Sequence, residues 1–130
     1  MQNQKLGPRA EYRRQEGERV KNSLTLASKF VQLKSLIVDL SYFDPTNHNR
    51  SSQVKYTVNL AYAKSLFRFD CQSQECVQGD FDLSADLASA VAARQTTVFG
   101  QVICKGWHNR STIEKVPCGN VLRYKLTIGY

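Results

Sequence analysis

The chain has 130 residues, 42% of them hydrophobic and 22% charged, with four cysteines and a formal net charge of +7. That length suits one ordinary domain with a modest core, and the composition is too apolar for a wholly disordered chain. No stretch reaches the length of a membrane span, and Met1 to Arg9 lacks the apolar run of a secretory signal, so the expectation is a cytoplasmic protein without a membrane partner.

The charge is unevenly placed. Residues 1–34 hold eight cations against three carboxylates, a net +5, whereas the remaining 96 residues hold ten against eight. Residues 1–21, with Gly7-Pro8 and Gly17 as breakers and no sustained apolar face, read as a flexible or partly helical basic arm; residues 22–130 read as a single zinc-stabilised domain. The arm could serve a polyanionic partner or simply solubilise the chain.

From Asn22 onward, Val20, Leu24, Ala27 and Val31 fall at helical spacing, flanked by Leu26, Phe30 and Leu33, which predicts a helix packed on a sheet. Ser35 to Phe43 alternates, with Leu36, Val38, Leu40 and Tyr42 on one side, and is a strand. A turn cluster at 44–52, including His48, leads to a second strand in which Val54, Tyr56, Val58, Leu60 and Tyr62 alternate with polar residues. Leu66 to Cys71 reads as a short strand. Ser84 reads as the N-cap of a second helix whose Leu83, Leu87 and Val91 recur every four residues up to Arg94. Thr96 to Cys104 and Val121 to Tyr130 are expected to pair as the last hairpin. The predicted fold is α+β, a mainly antiparallel sheet of about five strands with two helices.

The four cysteines form two pairs, Cys71 with Cys76 and Cys104 with Cys118. In a reducing setting closely spaced cysteines are more often metal ligands or redox groups than disulfides. The proposed donor set is all four sulfurs on one structural Zn2+, in a zinc-ribbon-like four-cysteine site with sulfurs about 2.3 Å from the ion. The first pair encloses four residues and the second thirteen, too long for a tight knuckle, so Cys104 and Cys118 must meet because their strands are neighbours. His108 could replace Cys118 as a ligand, and disulfides or free buried thiols are the remaining alternatives. No Cys-x-x-Cys is present, and Asp70, Glu75, Asp80 and Asp82 would oppose free thiolates, so a redox role is disfavoured.

Beside the proposed metal, Lys105, Trp107 and Arg110 combine an aromatic ring with two cations. In a nucleic-acid reader Trp107 would stack on an unpaired base while the cations hold phosphates, with Arg9, Arg13, Arg14, Arg19 and Lys21 of the arm adding affinity. Alternatively Trp107 packs over the metal site as a lid. There is no phosphate loop, nucleophile-and-base order or dinucleotide fingerprint, so neither an enzyme nor a small-molecule substrate is expected.

Phe67-Arg68-Phe69-Asp70-Cys71, Gly79-Asp80-Phe81-Asp82-Leu83-Ser84 and Leu122-Arg123-Tyr124-Lys125-Leu126 resemble a family of small, uncharacterised bacterial proteins with paired cysteines, over about the last hundred residues. The resemblance implies the cysteine pairing and a bacterial cytoplasmic setting. Two functions therefore stand as expectations: a zinc-stabilised module binding RNA or DNA, or a protein-interaction module in which Val121 to Tyr130 offers a pairing edge and Asn22 to Leu33 docks on a partner.

Overall fold

The strand of Ser35–Phe43 (β1) buries Leu36, Val38, Leu40 and Tyr42 on one face, as its alternation dictates. In the computed structural model, which describes residues 7–44, 50–73, 76–77, 79–109 and 115–130, β1 lies between β2 (Arg50–Thr57) and the final strand, β9 (Val121–Gly129). β9 in turn pairs with β6 (Thr97–Ile103), giving the order β2-β1-β9-β6 with every ladder antiparallel. The expected last hairpin is present, but its second strand inserts beside β1 instead of extending the sheet outward. His48 and the turn cluster at 45–49 lie outside the described residues.

The architecture is α+β, as expected, with mostly antiparallel sheets, but the count of elements differs. Three helices occur among the described residues where two were predicted, and the strands form three sheets where one was predicted. β3 (Arg68–Asp70) pairs with β5 (Asp80–Asp82), and β4 (Cys76–Val77) pairs with β7 (Trp107–Asn109), which pairs with β8 (Lys115–Pro117). These strands have only two or three residues each, too short for any period to register.

Residues 8–21, expected to be an arm, form the helix α1 (Pro8–Lys21). Pro8 sits in its first turn, where a missing N–H costs nothing, and Glu11 with Arg14 and Glu16 with Arg19 pair along its surface. None of its residues is buried; it is held by polar contacts described below.

The helix predicted over 22–33 shrinks to α2 (Leu26–Lys29). Thr25 caps it by accepting from the Ser28 N–H at 3.2 Å, and Phe30 leaves helical geometry at φ −120°. The surrounding backbone bonds to residues 60–65: Leu26 N donates to Ala63 O, Ala27 N to Leu60 O, and Ser65 N to Leu24 O. Cross-chain bonds therefore replace further helical turns, and the buried side chains are Leu26, Phe30 and Leu33, while Leu24 and Val31 are 62% and 75% exposed. The second strand likewise ends at Thr57, because Asn59 begins a turn that accepts from the N–H groups of Tyr62 and Ala63 and leaves Tyr62 exposed.

The third helix, α3 (Ser84–Ala92), covers the apolar side of the main sheet with Leu87, Ala90 and Val91. Ser84 is its first residue, not its cap. The Ser84 N–H donates to Asp82 Oδ1 at 2.9 Å, and the Ser84 hydroxyl accepts from Phe67 N, so Asp82 does the local capping and Ser84 ties the helix to the chain before β3. At the other end Arg94 takes φ 51°, and the N–H groups of Arg94 and Gln95 close on Val91 O and Ala90 O, the left-handed helix stop. Tyr124 OH donates to Asp86 Oδ2 at 2.5 Å and Tyr130 OH to Ala90 O at 3.2 Å, which fixes α3 over β9. One face of the sheet is thus covered by Phe81, Leu83 and α3, and the other faces solvent.

Candidate metal centre

Each cysteine stands at the end or start of a short strand. Cys71 follows β3, Cys76 begins β4, Cys104 follows β6, and Cys118 sits between β8 and β9. The β7–β8 hairpin fills the long interval between Cys104 and Cys118, and the pair meets because Ile103 faces Val121 across the β6–β9 ladder. Cys104 N donates to Asn120 O at 2.8 Å and Cys118 N to Gly106 O at 2.9 Å, which draws both loops together. This neighbouring of strands is what the spacing required.

The four Sγ atoms all lie within 4.8 Å of one another and all four residues are buried. Cys71 to Cys118 and Cys76 to Cys104 are each 3.6 Å, and none of the four is in a disulfide. Sulfurs about 2.3 Å from a tetrahedral centre would stand about 3.8 Å apart, so the set fits one ion after small adjustment. His108 is outside it: its Nε2 lies 3.3 Å from Ser73 Oγ, and the ring is engaged with the loop instead of the thiols.

Two glycines make the convergence possible. A Cβ on Gly79 would collide with the Cys76 and Cys104 sulfurs, and one on Gly106 would stand 2.5 Å from Cys76 Sγ and 2.6 Å from Val77 O. Gly119, directly after Cys118, takes φ 70°, where L side chains are strained. N–H groups aim at sulfur, among them Gly106 N at Cys104 (3.4 Å) and Asn120 Nδ2 at Cys71 (3.5 Å). Such donors orient ligand sulfurs and stabilise their charge. Asn120 was missed by sequence reasoning; the signal within reach was the glycine one to three residues after Cys76, Cys104 and Cys118.

Protons alone leave this cluster uneven. The Cys71 thiol is pushed down to about 5, first by the hydrogen bond from Cys104, and burial pushes Cys76 up to about 12. Cys104 is raised by its bond to Cys71 and by burial, and Cys118 is raised chiefly by burial. A second thiolate beside the first is unfavourable in so dry a site, so four thiolates need a cation.

α1 leans on the loop that carries Cys71 and Cys76. Arg9 donates to Cys76 O (3.0 Å) and Ser73 O (3.2 Å), and Arg13 donates to Cys71 O (3.4 Å). Behind them Arg68 pairs with Glu16 of α1 and with Asp80 of β5, while Tyr12 OH donates to Asp80. Of the cations named as nucleic-acid contacts, Arg9 and Arg13 therefore turn inward, whereas Arg14, Arg19, Lys21 and Lys105 are exposed. Trp107, half-buried, lies in β7 between Val77 and Pro117. Arg110 and Glu75 lie outside the described residues. Among the described residues no helix is long and apolar enough to cross a membrane.

Comparison with protein-family models, with curated proteins and with solved structures finds no match. The function has to be read from the residues of this chain.

Proposed function

We propose that this chain is a small nucleic-acid-binding module ordered by one structural zinc ion held by Cys71, Cys76, Cys104 and Cys118. The observation that carries the metal is the meeting of four buried sulfurs from four separate strand ends within 4.8 Å. An all-thiolate tetrahedral set suits zinc by softness and geometry, and a closed set with no open position is structural, not catalytic. With zinc(II) the centre carries a net −2, which Arg9 and Arg13 are placed to offset.

Support for a nucleic-acid partner is the net charge of +7 together with the exposed Arg14, Arg19, Lys21 and Lys105. The Glu11–Arg14 pair lies on the surface, and such pairs are weak and readily exchanged for phosphate. The test is elemental analysis with thiol titration on the native protein, followed by binding to nucleic acid across a salt series. One zinc per chain, thiols that react only after chelation, and affinity falling steeply with salt are the expected results. No metal, or no binding at low salt, removes the corresponding half.

A second reading, a protein-interaction module, is favoured by the exposure of Leu24 and Val31 around α2. Its other expected surface is already paired, because β9 has β1 on one side and β6 on the other and offers no free edge. A partner that co-purifies after nuclease treatment and is lost in Leu24→Ser would favour it.

A further inference from the structure

The solvent face of the main sheet is laid out by the ladder registers. One row across it reads Phe99, Lys125, Asp39, Lys55, and the next reads Gln101, Arg123, Ser41, Gln53. Directly opposed side chains stand about 5 Å apart and successive rows about 7 Å apart. Phe99 is 73% exposed, with Lys125 Nζ 5.6 Å from its ring centre, and Arg123 Cζ lies 4.7 Å over the ring of Phe43. The one carboxylate in these two rows, Asp39, accepts from Gln53 Nε2 at 3.2 Å. The rows therefore combine three cations, flat π surfaces and uncharged amides, with a single acid engaged by a neighbour.

We infer that this face is a stacking platform for single-stranded nucleic acid, with Phe99 and the Arg123–Phe43 pair receiving bases and Lys125 and Lys55 holding phosphates. The inference rests on the nucleic-acid reading above and names both the strand type and the surface. Aromatic rings and guanidinium planes bind any unpaired base through its π face, and cations between them track the backbone. A duplex fits poorly: four strands about 4.8 Å apart span about 14 Å between outer axes, more than the roughly 12 Å of a major groove. A second copy also fits poorly, because a two-fold contact through this face would bring three cations and one carboxylate against the same net positive set. The metal centre has a place in this arrangement. Cys104 follows Ile103 directly and Cys118 precedes Val121 by three positions, so the ion clamps the end of the β6–β9 ladder whose register opposes Phe99 to Lys125.

The test is titration of the full, metal-loaded chain into a fluorescently labelled mixed-sequence single strand and into the matching duplex. The single strand is expected to bind more tightly. Phe99→Ala is expected to weaken it about 5- to 150-fold and Phe99→Tyr to restore it, while Lys125→Gln lowers the salt slope by about one. These side chains point to solvent, so metal content and melting temperature serve as folding controls. Equal affinity for duplex, or single-strand binding unchanged in both Phe99→Ala and Arg123→Gln, overturns the platform. If Arg14→Gln and Arg19→Gln weaken binding while those two do not, the platform falls and the nucleic-acid reading stands; if nothing binds at low salt, both fall. A dimer that Phe99→Ala dissociates, without any change in strand affinity, assigns the face to a second copy and also overturns the inference.

Discussion

Arg9 donates its Nε–H to the carbonyl oxygen of Cys76 over 3.0 Å, across 67 positions of sequence. The helix and the ligand loop are therefore one mechanical unit. Arg9→Ala is expected to lower stability by about 1–2 kcal/mol, the scale of a charge-assisted hydrogen bond at a half-exposed site. Urea unfolding measures it. Chelation is expected to expose the Arg9 and Arg13 peptide bonds to trypsin, which limited proteolysis with mass spectrometry reads directly.

Replacing any one of the four cysteines by serine is expected to eliminate stoichiometric zinc and with it a cooperative thermal transition. A structural zinc contributes on the order of 10 kcal/mol, as much as the whole stability of a typical domain of this size. Elemental analysis and calorimetry on Cys71→Ser and Cys118→Ser decide the matter. A variant that keeps one metal per chain would show that fewer sulfurs suffice.

Gly79→Ala and Gly106→Ala are expected to reproduce much of the cysteine phenotype without touching a donor atom, because each added methyl lands on Cys76 Sγ or its neighbours. Zinc affinity is expected to fall more than tenfold, measured by competition with a chromophoric chelator. Ser73→Ala, by contrast, loses the side-chain contact with His108 and is expected to leave metal affinity unchanged.

Arg68 has only 8% of its side chain exposed and serves both Glu16 and Asp80. Arg68→Ala leaves Asp80 without a cation and Glu16 with Arg19 alone, and is expected to cost about 3 kcal/mol. Arg68→Ala combined with Asp80→Asn and Glu16→Gln is expected to recover part of that loss, since the carboxylates that Arg68 neutralised lose their charge with it. Denaturant midpoints of the single and triple variants make the comparison.

Alkaline pH supplies a further check. Burial pushes the Tyr42 phenol up to about 12, and burial with the Asp86 hydrogen bond raises Tyr124. A folded-state value above the unfolded value near 10 means that the fold favours the protonated form, so stability is full below about pH 10 and falls as pH rises toward 12. Tyr42→Phe keeps the edge-on contact with Phe81 and is expected to make the stability curve shallower over that window, as followed by chemical denaturation at each pH.

The contrast between β1 and α1 shows what was legible in the sequence. β1 and β9 bury every second residue, and that period is written in Leu36, Val38, Leu40, Leu122, Leu126 and Ile128. α1 buries nothing; it docks through Arg9, Arg13, Tyr12 and Glu16 onto carbonyls and charges that only the fold assembles, which is why its sequence reads as an arm. The stripe from Val20 to Val31 misleads because apolar spacing cannot report that Leu26 and Ala27 donate to residues 60–63. The meeting of the cysteines was legible from residue type and pairing, whereas the glycines and Asn120 that permit it depend on close approaches no spacing rule encodes.

The insertion of β9 beside β1 also sets a kinetic problem. Phe43 must find Val121 across 78 residues of chain, a closure that a polymer of this length completes slowly. A cation that joins Cys71 to Cys118 leaves 28 residues on one side of the bridge and three on the other, and the shorter path lowers the entropic cost of closure by about 0.8 kcal/mol. Ion capture before strand pairing would thus act as a topological shortcut, and refolding would run faster when zinc is already in solution than when it is added afterward.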